Sequence, residues 1–495
     1  MQADGSTKVP PFEWSFSMDG DGVSRVDLDT DGEDDHRAAH EAPQGCSFAY
    51  MLLVCAPRLA MNMAWAAQWS ALGPLLDSLT GDTKWLAKLI QCLGPIIGIV
   101  VYPTIGVLSD NCTSKYGRRR PFLVGGAIAT ILCWVLMMNA DSIGEAWGRT
   151  TDEKRRWKLG LVTFCYAWMD ISVNVMQVPA TLLVADVAGD RQLLASSIGQ
   201  MFSIVGGLAV AGYIAAFGPP HVAGKTPPFL YMLMALLAVT VVPVCYFVVE
   251  TQHVVPADAA PTHLERLKSG FSAVYNSFRY LPRALGIYFV CTFLLVFGFS
   301  TYTANKGEYF GVFVMHGDAS RADTCGAAPC TARQAAYNDG IALANGVIDT
   351  ISNVVGLFWV AMLPFLVDAY GCRHVLLGSI VPQCCLVVLF FCKSAVINML
   401  VVAAACGITQ NTVFALQIPL IVHVIGFGET NGLGLFAGAL NSANNLGQLL
   451  NTFTGSIFQA AIQDNNPWPI LVGGLVTMLA LAFAFFQFSI RTYAV

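Results

Sequence analysis

In a chain dominated by apolar residues, the side chains able to do chemistry are the polar ones set inside apolar stretches. Asp170, Asn174, Gln177 and Thr181 follow at i, i+4, i+7 and i+11, so a helix carries all four on one face. Arg58, Asn62, Trp65 and Trp69 repeat this spacing, with Gln68 on the flank. Asn345, Asp349, Ser352 and Asn353 make a third stripe, and Asn441, Asn444, Asn445, Gln448 and Thr452 a fourth. Side-chain amides donate and accept hydrogen bonds around the edge of a hydroxylated ring, and indole faces stack on its apolar side. Asn62, Trp65, Gln68, Asn174, Gln177, Asn441 and Gln448 are therefore candidate ligands for a sugar. The alternative is that such amides bond helix to helix, at about 0.6 kcal/mol each in a membrane. Four aligned stripes favour a lined cavity.

An ionisable residue at the middle of a bilayer costs about 2.5–3.5 kcal/mol on insertion scales, so it faces a bundle interior or a water-filled cavity. A carboxyl group held away from water keeps its proton more tightly than one in solution. Asp170 is thus the leading candidate to load and release a proton near neutral pH, with Arg58 as its expected partner. The competing reading is a permanent Asp170–Arg58 pair that locks two helices together. Asp349 is a second candidate proton site, whereas His423 reads as a core histidine.

The elements that must position these groups follow from composition. The 495 residues are 55% hydrophobic and 12% charged, with a mean hydropathy of +0.58, against about 25% charged in soluble domains. A bilayer core of about 30 Å takes about 20 apolar residues per helix. Twelve such stretches occur, near 47–73, 86–108, 121–140, 159–185, 194–217, 228–249, 284–304, 339–367, 374–393, 397–425, 430–461 and 468–490. The expected fold is an all-α polytopic membrane protein of two six-helix bundles, 47–250 and 284–495, joined by a cytosolic linker, 251–283.

Residues 1–46 hold 11 Asp or Glu against Lys8, Arg25 and Arg37 and read as a disordered cytosolic tail, without the pattern of a cleaved signal peptide. Within it, Asp27–Gly32 begins like a calcium loop, but Ala38 stands where a bidentate Glu is needed, so no metal is expected. The fifteen cysteines lie mostly in apolar spans. Cys325 and Cys330, in a polar segment between spans seven and eight, are a candidate disulfide.

Each half carries a similar short element after its second span. Asp110, Gly117, Arg118, Arg119 and Arg120 lie in the first half, and Asp368, Gly371 and Arg373 in the second. Repeated halves are the mark of many transporters, with the site between them, and Asp110, Gly117, Arg118, Arg119, Arg120, Asp368 and Arg373 are candidate gating residues. Basic residues of this loop and the linker place both termini in the cytosol, although the loop Gly148–Lys158 holds five Lys or Arg on the other side. The sequon Asn111–Thr113 then faces the cytosol. The runs Gly94–Gly98 and Gly434–Gly438 fit close helix packing.

Several motifs together resemble one family. Gly94-Pro95, Gly98, Pro103, Gly106, Ser109-Asp110 and Tyr116 to Phe122 are joined by Trp65, Gln68 and Ser70, by Asp170 to Pro179, by Ile418-Pro419, and by Gly434 to Gln448. This pattern resembles the plant-type sucrose:proton symporters, of the glycoside-pentoside-hexuronide:cation group in the major facilitator superfamily. The resemblance implies two bundles rocking about a central site, and Asp170 matches the aspartate implicated in proton coupling. Glu308 matches an acidic position around span seven that the resemblance adds to the substrate set. Thr181 stands where the family has an arginine, and Arg58 could restore that positive charge from span one. The expectation is a proton-coupled sugar transporter that works as a monomer, with no cofactor, no metal, no nucleic-acid partner and no enzymatic centre. Its substrate is expected to be a disaccharide or glucoside ahead of a monosaccharide, and its location the plasma membrane ahead of an acidic organelle. The rivals are transport of another small polar solute and a sugar sensor that does not transport.

Overall fold

With no water in a hydrocarbon core, every backbone N–H and C=O must find its partner inside the segment, which a helix achieves. Over most of its described residues, each of the twelve apolar stretches is helical in the computed structural model, which describes residues 45–68, 90–148, 150–217, 226–250, 263–318, 331–426, 433–461 and 467–490. The first half comprises α1 (Phe48–Ala67), α2 (Leu93–Asp110), α3 (Arg120–Met138), α4 (Thr151–Ala188), α5 (Gln192–Phe217) and α6 (Thr226–Phe247). The second comprises α7 (Arg283–Val314), α8 (Ala332–Tyr370), α9 (Cys372–Phe391), α10 (Ala395–Ile425), α11 (Leu433–Ala461) and α12 (Trp468–Gln487). Among the described residues there is no strand. The acidic tail, the calcium-like loop, Trp69, Cys325 and Cys330 lie outside the described residues.

Local sequence sets where these helices start and stop. Thr150 and Glu153 form a capping box at the start of α4. Gly117 (φ 101°) ends the α2–α3 turn and Gly371 (φ 79°) the α8–α9 turn. Both sit in the left-handed region that a side chain disfavours, although nine residues separate α2 from α3 and only Gly371 separates α8 from α9. Pro103, Pro179 and Pro419 lie inside α2, α4 and α10, where neighbouring helices can satisfy the freed carbonyls. Among the described residues, the π-helical turns Tyr309–Val314, Leu343–Ile348 and Ala405–Gln410 occur in α7, α8 and α10. Such turns shift side-chain register and collect at functional sites.

The first half packs around Met63, Val173, Met176 and Leu233, all fully buried, and the second around Leu295, Leu376 and Leu416. The halves meet most closely where α2 runs against α11. A Cβ on Gly438 would lie 2.6 Å from the Cα of Pro103, and one on Gly98 would lie 2.8 Å from the carboxamide oxygen of Asn445. The glycine runs therefore do bring helices together, across the seam between halves. The linker, expected only as a connection, contains a helix, His263–Arg279. It buries its small residues Ala273 and Ser277 and lays Gly270 over Thr104 and Leu108 of α2, leaving Phe271 and Tyr275 exposed.

Candidate functional site

Between the halves lies a cavity of about 770 Å³. α1 contributes Arg58, Asn62, Trp65 and Gln68, and α4 contributes Asp170, Asn174, Gln177 and Thr181. These two polar stripes face each other because α1 and α4 pack antiparallel, and they interlock. The indole Nε1 of Trp65 donates to Gln177 at 2.8 Å. Gln68 Nε2 donates to Asp170 Oδ1 at 3.0 Å. Asp170 is fully buried, yet among the described residues its Oδ2 has no hydrogen-bond partner. Beside the carboxylate is Gly94 of α2, where an added Cβ would approach to 3.2 Å. Asn174 donates to the Asp170 carbonyl at 2.8 Å, and Asn62 to the Ser203 carbonyl at 2.6 Å.

Arg58 does not pair with Asp170. Its Nη2 donates to Gln200 Oε1 at 3.3 Å, and Gln200 Nε2 donates in turn to Asn411 Oδ1 on α10 at 2.9 Å. The reason is rise along the helix. Ten residues separate Arg58 from Gln68, the partner of Asp170, which is about 15 Å of α1. Arg58 and Thr181 share one end of the cavity, with Tyr102 beside both.

From the second half, α11 supplies Asn441, Asn444, Asn445 and Gln448, with Gln448 donating to Asn444 at 3.1 Å. Glu308 of α7 also lines the cavity and is exposed. The α8 stripe behaves differently. Asn345, Asp349, Ser352 and Asn353 are not among the lining residues, and Asp349 forms an ion pair with Lys306 inside the second half. A helical period shows that residues share a face, not what that face meets. The lining comes instead from α7, through Ser300, Thr303 and Asn305, and from α10, through Gln410 and Gln417. Gln200 and Ser203 of α5 complete it. Gln410 and Gln417 stand seven residues apart, a spacing that could have marked α10 from the sequence.

At the Arg58 end the halves are joined. Asp110 Oδ2 accepts from the Gly434 backbone N–H of α11 at 3.2 Å, and Asp110 Oδ1 pairs with Arg119 at 2.6 Å. Arg119 also meets Asp186 at 3.1 Å and Ser109 at 2.6 Å, while Arg118 pairs with Asp186 at 2.9 Å. Burial alone would lower the pKa of Arg119, but its two carboxylates outweigh that and raise it. Glu250 accepts from the backbone N–H groups of Arg119 and Arg120 at 2.7 and 3.0 Å. No Asp368–Arg373 counterpart forms. Arg373 donates to the Phe485 carbonyl at 2.8 Å, and Asp368 is exposed. The two connections share a positive-φ glycine but not a charge network.

A family model described as MFS/sugar transport protein matches residues 53–327. The chain belongs to the MFS/sugar transport protein family. Among curated relatives of this family member, sucrose transport protein SUC3 of Arabidopsis thaliana is 32% identical over 41% of this chain and 32% of its own length. Sucrose transport protein SUT3 of Oryza sativa subsp. japonica is 34% identical over 33% of each. The chain thus matches about a third of the length of these two relatives. Sucrose transport protein SUC4 of Arabidopsis thaliana is 24% identical over 87% of this chain and 89% of its own. Solved structures share the fold. A bacterial homologue of the iron transporter ferroportin in an outward-facing state has a TM-score of 0.58 at 13% identity, covering 89% of this chain and 99% of its own. The proton:xylose symporter XylE, bound to 6-bromo-6-deoxy-D-glucose, has a TM-score of 0.57 at 14% identity, covering 89% and 96%. This family member is therefore an integral membrane protein with the major facilitator architecture.

Proposed function

We propose that this chain carries a sugar across a bilayer in symport with a proton, by alternating access of the central cavity to the two faces. The observation that supports this most is Asp170, buried in the cavity wall between Gln68 and Gly94 with one carboxylate oxygen unpartnered among the described residues. That oxygen is where a proton can load. Around it stand Trp65, Asn174, Gln177, Asn441 and Gln448, the stacking surface and amides that a hydroxylated ring requires. The cargo read from this set is a disaccharide or glucoside, carried by a monomer in the plasma membrane. Relatives named as sucrose transport proteins agree with this class.

The coupling is energetically sufficient. A proton entering down a potential of about 100 mV, inside negative, releases about 2.3 kcal/mol, and each pH unit adds about 1.36 kcal/mol. Together that is about 3.7 kcal/mol, enough for several hundredfold accumulation of an uncharged sugar at one proton per solute; for a sugar carboxylate the electrical part cancels and the pH part remains. The test is uptake of radiolabelled sucrose, maltose and glucose into transporter-deficient cells, with cytosolic pH recorded. Uptake that rises as external pH falls, with sugar-dependent acidification of the cytosol, is the expected result. Binding without uptake or acidification would make the chain a sensor and refute transport.

A further inference from the structure

We infer that Arg58 makes its end of the cavity an anion subsite, and that the preferred cargo is a sugar carrying a carboxylate, such as a uronide. This rests on the sugar-transport reading above and names the substrate class more narrowly.

Arg58 lines the cavity, but no carboxylate stands within 4 Å of it among the described residues. Its one described side-chain bond goes to the amide oxygen of Gln200. A guanidinium has five N–H donors, and within a membrane it needs a counter-charge or water. Here the protein offers dipoles: Gln200 on one side, and the hydroxyls of Tyr102 and Thr181 nearby. The other charged residues lining the cavity stand elsewhere. Asp170 sits at the level of Gln68, about 15 Å along α1, and Glu308 belongs to the last α-helical turn of α7.

The side chain is also housed. Arg58 lies across Gly199 of α5, where an added Cβ would stand 2.8 Å from Arg58 Cδ. The absence of a side chain at Gly199 leaves room for the Arg58 side chain in the cavity wall, with donors left over for a planar acceptor. Arginine takes a carboxylate through two parallel hydrogen bonds, a geometry that a sugar hydroxyl does not match. The spacing suits a two-ring ligand. Seven residues, or about 10 Å of helix, separate Arg58 from Trp65, so one ring can lie at Trp65 and Gln177 while an acidic ring reaches Arg58.

The test is binding of cellobiouronic acid and of cellobiose to the purified full-length protein, by titration calorimetry, for wild type and Arg58→Gln. Charge-assisted hydrogen bonds of about 1.5–3 kcal/mol predict that wild type holds the acid at least about tenfold tighter than cellobiose. In Arg58→Gln the ratio should fall to within about twofold. Equal affinities in wild type, a comparison that needs no variant, would overturn the subsite while leaving a sugar site standing. An acid preference that survives Arg58→Gln would overturn it as well. Binding of neither compound would overturn the subsite, while the sugar reading would stand or fall on uptake of sucrose, maltose and glucose.

Discussion

Trp65 brings to the cavity a flat apolar ring and an N–H already given to Gln177 at 2.8 Å. The bond links α1 to α4, and on the function proposed above it would set the angle at which a sugar can stack. Trp65→Phe keeps a ring and removes the donor, so Gln177 Oε1 loses its partner. One such bond is worth about 1 kcal/mol, and the apparent KM for sugar should rise about fivefold while the protein stays folded. An unchanged KM in the uptake assay would show that this bond does not matter for binding. Residues of this kind were legible from sequence because a polar side chain in an apolar span needs a reason. Their partners were less legible. Asp170 and Arg58 were expected to meet, but position along α1 sends one to Gln68 and the other to Gln200.

Between helices, the α2–α11 seam depends on the absence of side chains. Gly438 has the Cα of Pro103 within 2.6 Å of where its Cβ would be, whereas an added Cβ on Gly212 of α5 meets nothing within 4 Å. Gly438→Ala should therefore force the backbones apart at about 1–3 kcal/mol, read as a lower melting temperature of the purified protein. Gly212→Ala should leave it equal or raised, since alanine favours helix by about 1 kcal/mol over glycine. Equal melting behaviour of the two variants would mean the seam is looser than described. The existence of the twelve helices was plain in the sequence, because apolar length alone demands them. Which faces meet was not. The α8 stripe turned out to hold Asp349 against Lys306 within its own half, and α7 and α10 took its place at the cavity. The linker helix was missed because its apolar residues are few and it finds its stability by packing on α2.

As a whole, the molecule is two half-bundles sharing a polar interior and fastened at one end. Asp110 reaches from the first half to the Gly434 N–H of the second, and Gln200 reaches to Asn411. Both contacts must break if the cavity is to open at that end, and on the function proposed above the charge network around Arg119 would stand where one half turns against the other. In such a machine, sugar binding and proton loading are separable. On the function proposed above, the cavity would hold the sugar and Asp170 would decide whether the loaded molecule can exploit a proton gradient. The most direct measurement compares Asp170→Asn with wild type in proteoliposomes, by sugar counterflow without a gradient and by accumulation under an imposed inward proton gradient. Counterflow that persists in Asp170→Asn with accumulation abolished is the predicted result, because the amide keeps the shape of the site and cannot carry the proton. Accumulation driven by the gradient at the wild-type level in Asp170→Asn would contradict the assignment of proton coupling to this residue.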